Sequence, residues 1–304
     1  MAAASAPTVP GVRAVTLDGG GIPLSGLLAL PTQPVPRAVV VALHGAGMSA
    51  GYFDSRALPG QSLLTLGAEL GFAVLALDRP GYGASAAALP EGLDLVGQSA
   101  VLRAALACFA RRHETGAGFF LLAHSNGGRL ALSVAADGLE AEPLGVDVCG
   151  LGRHFAVEPE RLPGSGAGGP GEWRRHWGAL RLYPPDAFRL GQELVRPVPV
   201  VEARETRRWP RMYPAVAARV RVPVRFTFAE QEQWWRTDEA ALVELLAPLT
   251  RAPAEVVRQP DAGHNVSLGW AARAYHLRAL AFLEERLLAR NAVRPGIPKT
   301  LTQT

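Results

Sequence analysis

Residues 121–132 read LLAHSNGGRLAL. The first three are apolar and suit a buried strand, and the last four restart at helical spacing. Between them stand His124, Ser125, Asn126 and two glycines, so a serine occupies the hinge where a strand turns into a helix. The twelve residues alone are equally consistent with an ordinary strand-to-helix turn, and the rest of the chain must decide between the two.

The chain has 304 residues, 48% of them hydrophobic and 19% charged. That composition suits a globular protein large enough to bury a substantial core. No window approaches the run of ~18 apolar residues that a membrane span requires, and the N-terminus has no basic segment leading into an apolar one. The expectation is a soluble, cytoplasmic protein without membrane association. Cys108 and Cys149 are the two cysteines; they suit core packing and offer no metal-type spacing. No metal and no cofactor are expected. The net charge of +4 comes almost wholly from arginine, Lys299 being the single lysine, which reads as compositional bias rather than a nucleic-acid surface. Arg204, Arg207, Arg208, Arg211, Arg219, Arg221 and Arg225 cluster within about twenty residues and read as a solvated basic face.

Apolar, β-rich runs alternate with helical patterns along the chain, which predicts an α/β protein with a mostly parallel sheet. RAVTLD and IPLSGLLAL, separated by Gly19, Gly20 and Gly21, suit an antiparallel hairpin. Further strands are expected at 37–45, 72–78, 118–125, 143–152, 222–230 and 254–264, about eight in all. Helices are expected at 61–70, 94–114, from Asn126, at 238–249 and at 269–289. Residues 153–219 hold a Gly-rich run, several prolines, three of the six tryptophans and no run resembling a central strand. They read as an insertion after the sixth strand, dividing a core of 12–152 and 220–290. Residues 291–304 read as a flexible tail.

Ligands of such sheets bind outside the carboxyl ends of the strands. The residues expected there are His44-Gly45-Ala46-Gly47, Asp78, Ser125, Gly150-Leu151-Gly152, Glu230 to Glu232, and His264. Serine, then acid, then histidine, each ending its own strand, is the order of an α/β-hydrolase triad. On these residues the chain resembles the α/β-hydrolase fold superfamily over roughly residues 12–290.

That resemblance implies a catalytic role for Ser125 in the elbow Ala123-His124-Ser125-Asn126-Gly127, where Ala123 replaces the usual glycine. It implies His264 as base and Glu232 as acid, from Ala229-Glu230-Gln231-Glu232. Glu230, Asp238 and Asp261 stay open as the acid; they read as a structural carboxylate, a helix N-cap and a loop brace. The oxyanion donors implied are the N–H groups of Asn126 and Ala46, with Gly45 and Gly47 open in place of Ala46. DRPGYGAS (78–85) is a further hallmark, and Asp78 reads as a brace of the rim. The insertion takes the place of a small cap. His44, Gly45, His124, Trp173, Trp177 and Trp234 are expected at the substrate, and the tryptophans equally suit the core of the cap.

The activity implied is hydrolysis of a carboxylic ester or thioester through an acyl-enzyme. The same residues suit an acyltransferase or a cyclising, product-releasing enzyme, and the fold also serves non-catalytic ligand binding. The partner expected is a small-molecule acyl substrate; the arginine cluster makes one linked to a carrier protein or to coenzyme A a further expectation. Sequence leaves the oligomeric state open.

Overall fold

The computed structural model describes residues 11–158, 161–162 and 173–292. Eight strands form one sheet: β1 (Val12–Asp18), β2 (Pro23–Ala29), β3 (Val39–Leu43), β4 (Ala73–Leu77), β5 (Phe119–His124), β6 (Val146–Cys149), β7 (Val224–Gln231) and β8 (Ala254–Gly263). Their spatial order is β1-β2-β4-β3-β5-β6-β7-β8. β1 and β2 form the antiparallel hairpin, β2 joins β4 antiparallel, and all later pairings are parallel.

The central strands are apolar without alternation because both faces of the sheet are covered. In β3, Val39, Val41 and Leu43 enter one cluster with residues of α2 (Leu95–Ala110) and α3 (Asn126–Asp137). Val40 and Ala42 enter the other, with residues of α1 (Leu63–Glu69) and α9 (Ala272–Ala292). Period-2 side-chain direction thus splits one apolar run between two cores. Cys108 and Cys149 are buried free thiols.

Between β6 and β7 the described residues form four short α-helices: α4 (Trp173–Trp177), α5 (Asp186–Glu193), α6 (Val200–Thr206) and α7 (Trp209–Ala217). α8 (Glu239–Leu246) follows β7, with Asp238 as N-cap accepting from Ala241 N–H. α9 continues to Ala292, two residues into the expected tail; residues 293–304 and the Gly-rich run of the expected insertion lie outside the described residues. No helix among the described residues is long and apolar enough to cross a membrane.

Six of the seven clustered arginines, Arg204, Arg207, Arg208, Arg211, Arg219 and Arg221, are exposed as expected, whereas Arg225 is buried on β7 and paired with Asp147 at 2.7 Å. β7 is an interior strand of the sheet, and a charge there needs a counter-charge.

Candidate active site

Ser125 follows β5 directly and has φ 51° and ψ −124°. Among the described residues, only Asp261 is another non-glycine with positive φ. A non-glycine residue held there is strained by contact of its Cβ with the backbone, and the surroundings show what maintains it. A Cβ on Gly127 would stand 2.3 Å from Leu43 O, and one on Gly128 would stand 2.4 Å from Val148 Cγ1. The helix therefore packs too closely on β3 and β6 for any larger residue. Ala123 is tolerated two positions before the serine because it lies inside the ladder, opposite Leu43 and Val148.

The Ser125 N–H donates to Cys149 O at 2.8 Å. That leaves the next N–H, that of Asn126, which opens α3 and has no acceptor within its own helix. The α3 macrodipole adds partial positive charge at the same point. Across the cavity, the Gly47 N–H donates to Tyr82 Oη at 3.2 Å, whereas no described residue accepts from the Ala46 N–H. Gly45 must be glycine, since a Cβ there would lie 2.8 Å from His124 Nδ1 and 3.1 Å from Ser125 Cβ.

His264 follows β8, and its Nδ1 lies 2.8 Å from Glu232 Oε2. The other Glu232 oxygen accepts from the N–H groups of Gln233 and Trp234, at 3.0 and 2.9 Å. Both side chains are almost fully buried. Accepting a proton-bearing Nδ1 leaves Nε2 of a neutral His264 as the free base nitrogen. The competing carboxylates are engaged elsewhere. Asp238 pairs with Arg236 at the surface, and Asp78 accepts from Ser25 Oγ and Ala50 N–H. Glu230 accepts from Asp261 N–H at 2.8 Å; that bond spans a register shift between β7 and β8, after which Gln231 pairs with Gly263. The irregularity sets the following residues, Glu232 and His264, side by side.

Ser125, His264, Ala46, Gly45, His124, Asn126 and Trp234 all line one cavity of about 30 Å³, room for about two waters. His44 does not line it. It is fully buried behind the loop, where Nε2 accepts from the Arg79 N–H at 3.1 Å and Nδ1 therefore donates to Gly45 O at 2.8 Å. Burial, then the Arg79 charge, lowers its pKa to about 4. Its two ring bonds tie Arg79 to Gly45 within the loop, away from the cavity lining.

Trp177 stands beside the cavity in a groove of about 730 Å³ that shares Ala46, Met48, His176 and Asn265 with it. Trp173 opens α4, and its side chain lies outside the described residues. His124 donates from Nε2 to His264 O at 2.9 Å and stacks on Tyr52; burial, then His264, holds its pKa well below the ordinary value.

Sequence reasoning missed His176, whose ring lies 4.7 Å from that of Trp234 and 6.0 Å from that of His264. Burial lowers its pKa to about 3. It sits on a helix of five residues, too short for a periodic signal. Among the described residues, no group of three His, Cys, Asp or Glu side chains is arranged to hold a metal.

Residues 40–277 match the model of the alpha/beta hydrolase family. The chain belongs to that family. Similar solved structures of the alpha/beta hydrolase fold include a thermostable carboxyl esterase from Bacillus coagulans, 16% identical with a TM-score of 0.67 over 91% of this chain and 99% of that one. An E-2-(acetamidomethylene)succinate hydrolase is 18% identical with a TM-score of 0.60, over 90% and 99%. MenH from S. aureus is 15% identical with a TM-score of 0.61, over 85% and 97%. No curated protein sequence matched this alpha/beta hydrolase.

Proposed function

We propose that the chain is a serine hydrolase acting on carboxylic esters or thioesters through an acyl-enzyme. The observation that carries this reading is the convergence on one cavity of Ser125, held at positive φ, and His264, itself bonded to Glu232. Ser125 Oγ attacks the acyl carbon while His264 Nε2 takes its proton, and Glu232 holds the imidazole in the required tautomer and stabilises the imidazolium. The N–H groups of Asn126 and Ala46 receive the oxyanion. Collapse of the tetrahedral intermediate expels the alcohol or thiol, which takes the proton from His264. Water, activated by the same histidine, then hydrolyses the acyl-enzyme.

The cavity at Ser125 is small and the adjoining groove is large and mostly apolar, lined by Trp177, Leu180, Phe188 and Val195. This supports a substrate that places a compact group at the serine and an apolar one in the groove. The carboxyl esterase among the structural neighbours carries a name consistent with ester hydrolysis.

The test is a panel of p-nitrophenyl esters from acetyl to dodecanoyl, together with matching acyl-coenzyme A thioesters. Turnover by the wild type, reduced by about 10³-fold or more in His264→Ala, supports the reading. A wild type that hydrolyses no member of either series contradicts it.

A further inference from the structure

Both N–H groups assigned to the oxyanion hole hang on one buried carboxylate that belongs neither to the triad nor to the sheet. Glu202 lies on α6, in the segment between β6 and β7, and is fully buried. Its Oε1 accepts from Arg79 Nη2 at 2.8 Å and from Asn126 Nδ2 at 3.0 Å, and its Oε2 accepts from Arg79 Nη1 at 3.0 Å. From this carboxylate two arms run to the two sides of the cavity.

The first arm passes through Arg79, which is 1% exposed. Its Nε donates to His44 O at 2.7 Å and its Nη2 to Gly45 O at 3.2 Å. The carbonyl of Gly45 and the N–H of Ala46 belong to a single peptide unit. No peptide among the described residues is cis, and in a planar trans unit C=O and N–H point opposite ways. Anchoring Gly45 O on Arg79 and His44 Nδ1 therefore aims the Ala46 N–H away from Arg79. A rotated peptide would present the carbonyl in its place and repel an oxyanion.

The second arm is Asn126 itself. One amide hydrogen of its side chain goes to Glu202 Oε1 and the other to Thr206 Oγ1 at 2.9 Å, and Thr206 Oγ donates back to Glu202 O at 2.8 Å. Both donors of the Asn126 carboxamide are thus taken by α6, which fixes the residue that follows Ser125 and opens α3.

We propose that Glu202 is a positioning residue, and that docking of α6 on the elbow aligns both oxyanion donors through Arg79 and Asn126. The hydrolase reading above is the premise of this proposal. Burial alone would raise the Glu202 pKa, but the Arg79 charge and its hydrogen bonds bring it down to about 2, so the anchor stays charged across the working range of an ester hydrolase. The pair makes α6 part of the reaction centre although, apart from Thr206, it contributes no residue to the lining of the cavity.

The test compares wild type, Glu202→Gln and Thr206→Val on p-nitrophenyl acetate and on its thiono analogue, in which sulfur replaces the carbonyl oxygen. Sulfur accepts hydrogen bonds poorly, so the preference for the oxygen ester reports the oxyanion hole itself. In Glu202→Gln, kcat is expected to fall by about 10- to 100-fold with KM within about threefold, and the oxygen-over-sulfur preference to shrink in proportion. Thr206→Val is expected to shift the same preference in the same direction by a smaller factor. Folded variants that both keep the wild-type kcat and the wild-type preference overturn the proposal, and if Glu202→Gln does not fold, Thr206→Val decides by the same preference. Labelling of the wild type by a fluorophosphonate separates this failure from failure of the premise: an unlabelled, inactive wild type overturns the hydrolase reading, whereas a labelled, active one with unaffected variants overturns only the role of Glu202.

Discussion

Gly150 lies directly beneath the imidazole of His264. A Cβ at position 150 would stand 2.9 Å from His264 Cε1 and 3.0 Å from Nδ1, with Glu232 Oε2 at 3.4 Å. The residue follows β6 and has φ 65°, so a side chain there is doubly disfavoured, by backbone strain and by collision. In Gly150→Ala the methyl group pushes the imidazole off Glu232. Activity on a simple ester is expected to fall by about 10- to 100-fold, since misplacement of a catalytic group by about 1 Å costs that much. Steady-state kinetics with a thermal melt check it; a folded variant with wild-type kcat contradicts the packing described.

Glu232→Gln tests the acid. The two N–H groups of Gln233 and Trp234 already fix one carboxylate oxygen, so the glutamine must keep its oxygen there and turn its NH₂ toward His264. That NH₂ donates to Nδ1 and forces the proton onto Nε2, which removes the base facing Ser125. A loss of about 10³- to 10⁴-fold in kcat is expected, with little change in melting temperature. Full activity in the variant, or a comparable loss in Glu230→Gln, would move the acid elsewhere.

Stability should fall on the acidic side. Burial lowers the pKa of His44 to about 4 and those of His176 and His276 to about 3, against ~6.5 in an unfolded chain. Between these values the unfolded state binds the extra protons, so stability rises with pH and is lost as pH drops from about 6.5 toward 4 and below. Each group contributes a slope of up to about 1.4 kcal/mol per pH unit inside its window. Glu202 adds a loss of the same sign only below about 4.5, where an unfolded glutamate takes up its proton while the folded one, near 2, stays charged. Melting temperatures measured from pH 8 to pH 4 should decline from about pH 6.5 downward; a flat profile to pH 4 would contradict the buried, neutral histidines.

The sheet was legible because its strands are long apolar runs whose order follows from connection rules, and the elbow was legible because only small residues fit around Ser125. Glu230 and Glu232 stand two positions apart in the sequence, and what gives them different surroundings is the bulge that Glu230 and Asp261 build, which no periodicity reveals. His44 was expected at the substrate because its sequence position matches the loop, while its ring turns inward to Arg79. Glu202 was hidden among exposed arginines, and its partner Arg79 lies 123 residues away. Periodic patterns report which face of an element is buried; they carry no information on which charge another element will bring to it. Contacts between the helices that join β6 to β7 and the sheet layers are of that kind, and the residues lost to sequence reading, His176, Thr206 and Glu202, all belong to them.

The central claim is that Ser125 is the nucleophile. Its most direct test is reaction with a fluorophosphonate probe, followed by intact mass and mapping of the adduct by peptide mass spectrometry. One adduct per chain on Ser125 is expected in the wild type, none in Ser125→Ala, and a strongly slowed one in His264→Ala. An adduct on another residue, or undiminished labelling of Ser125→Ala, would contradict the account.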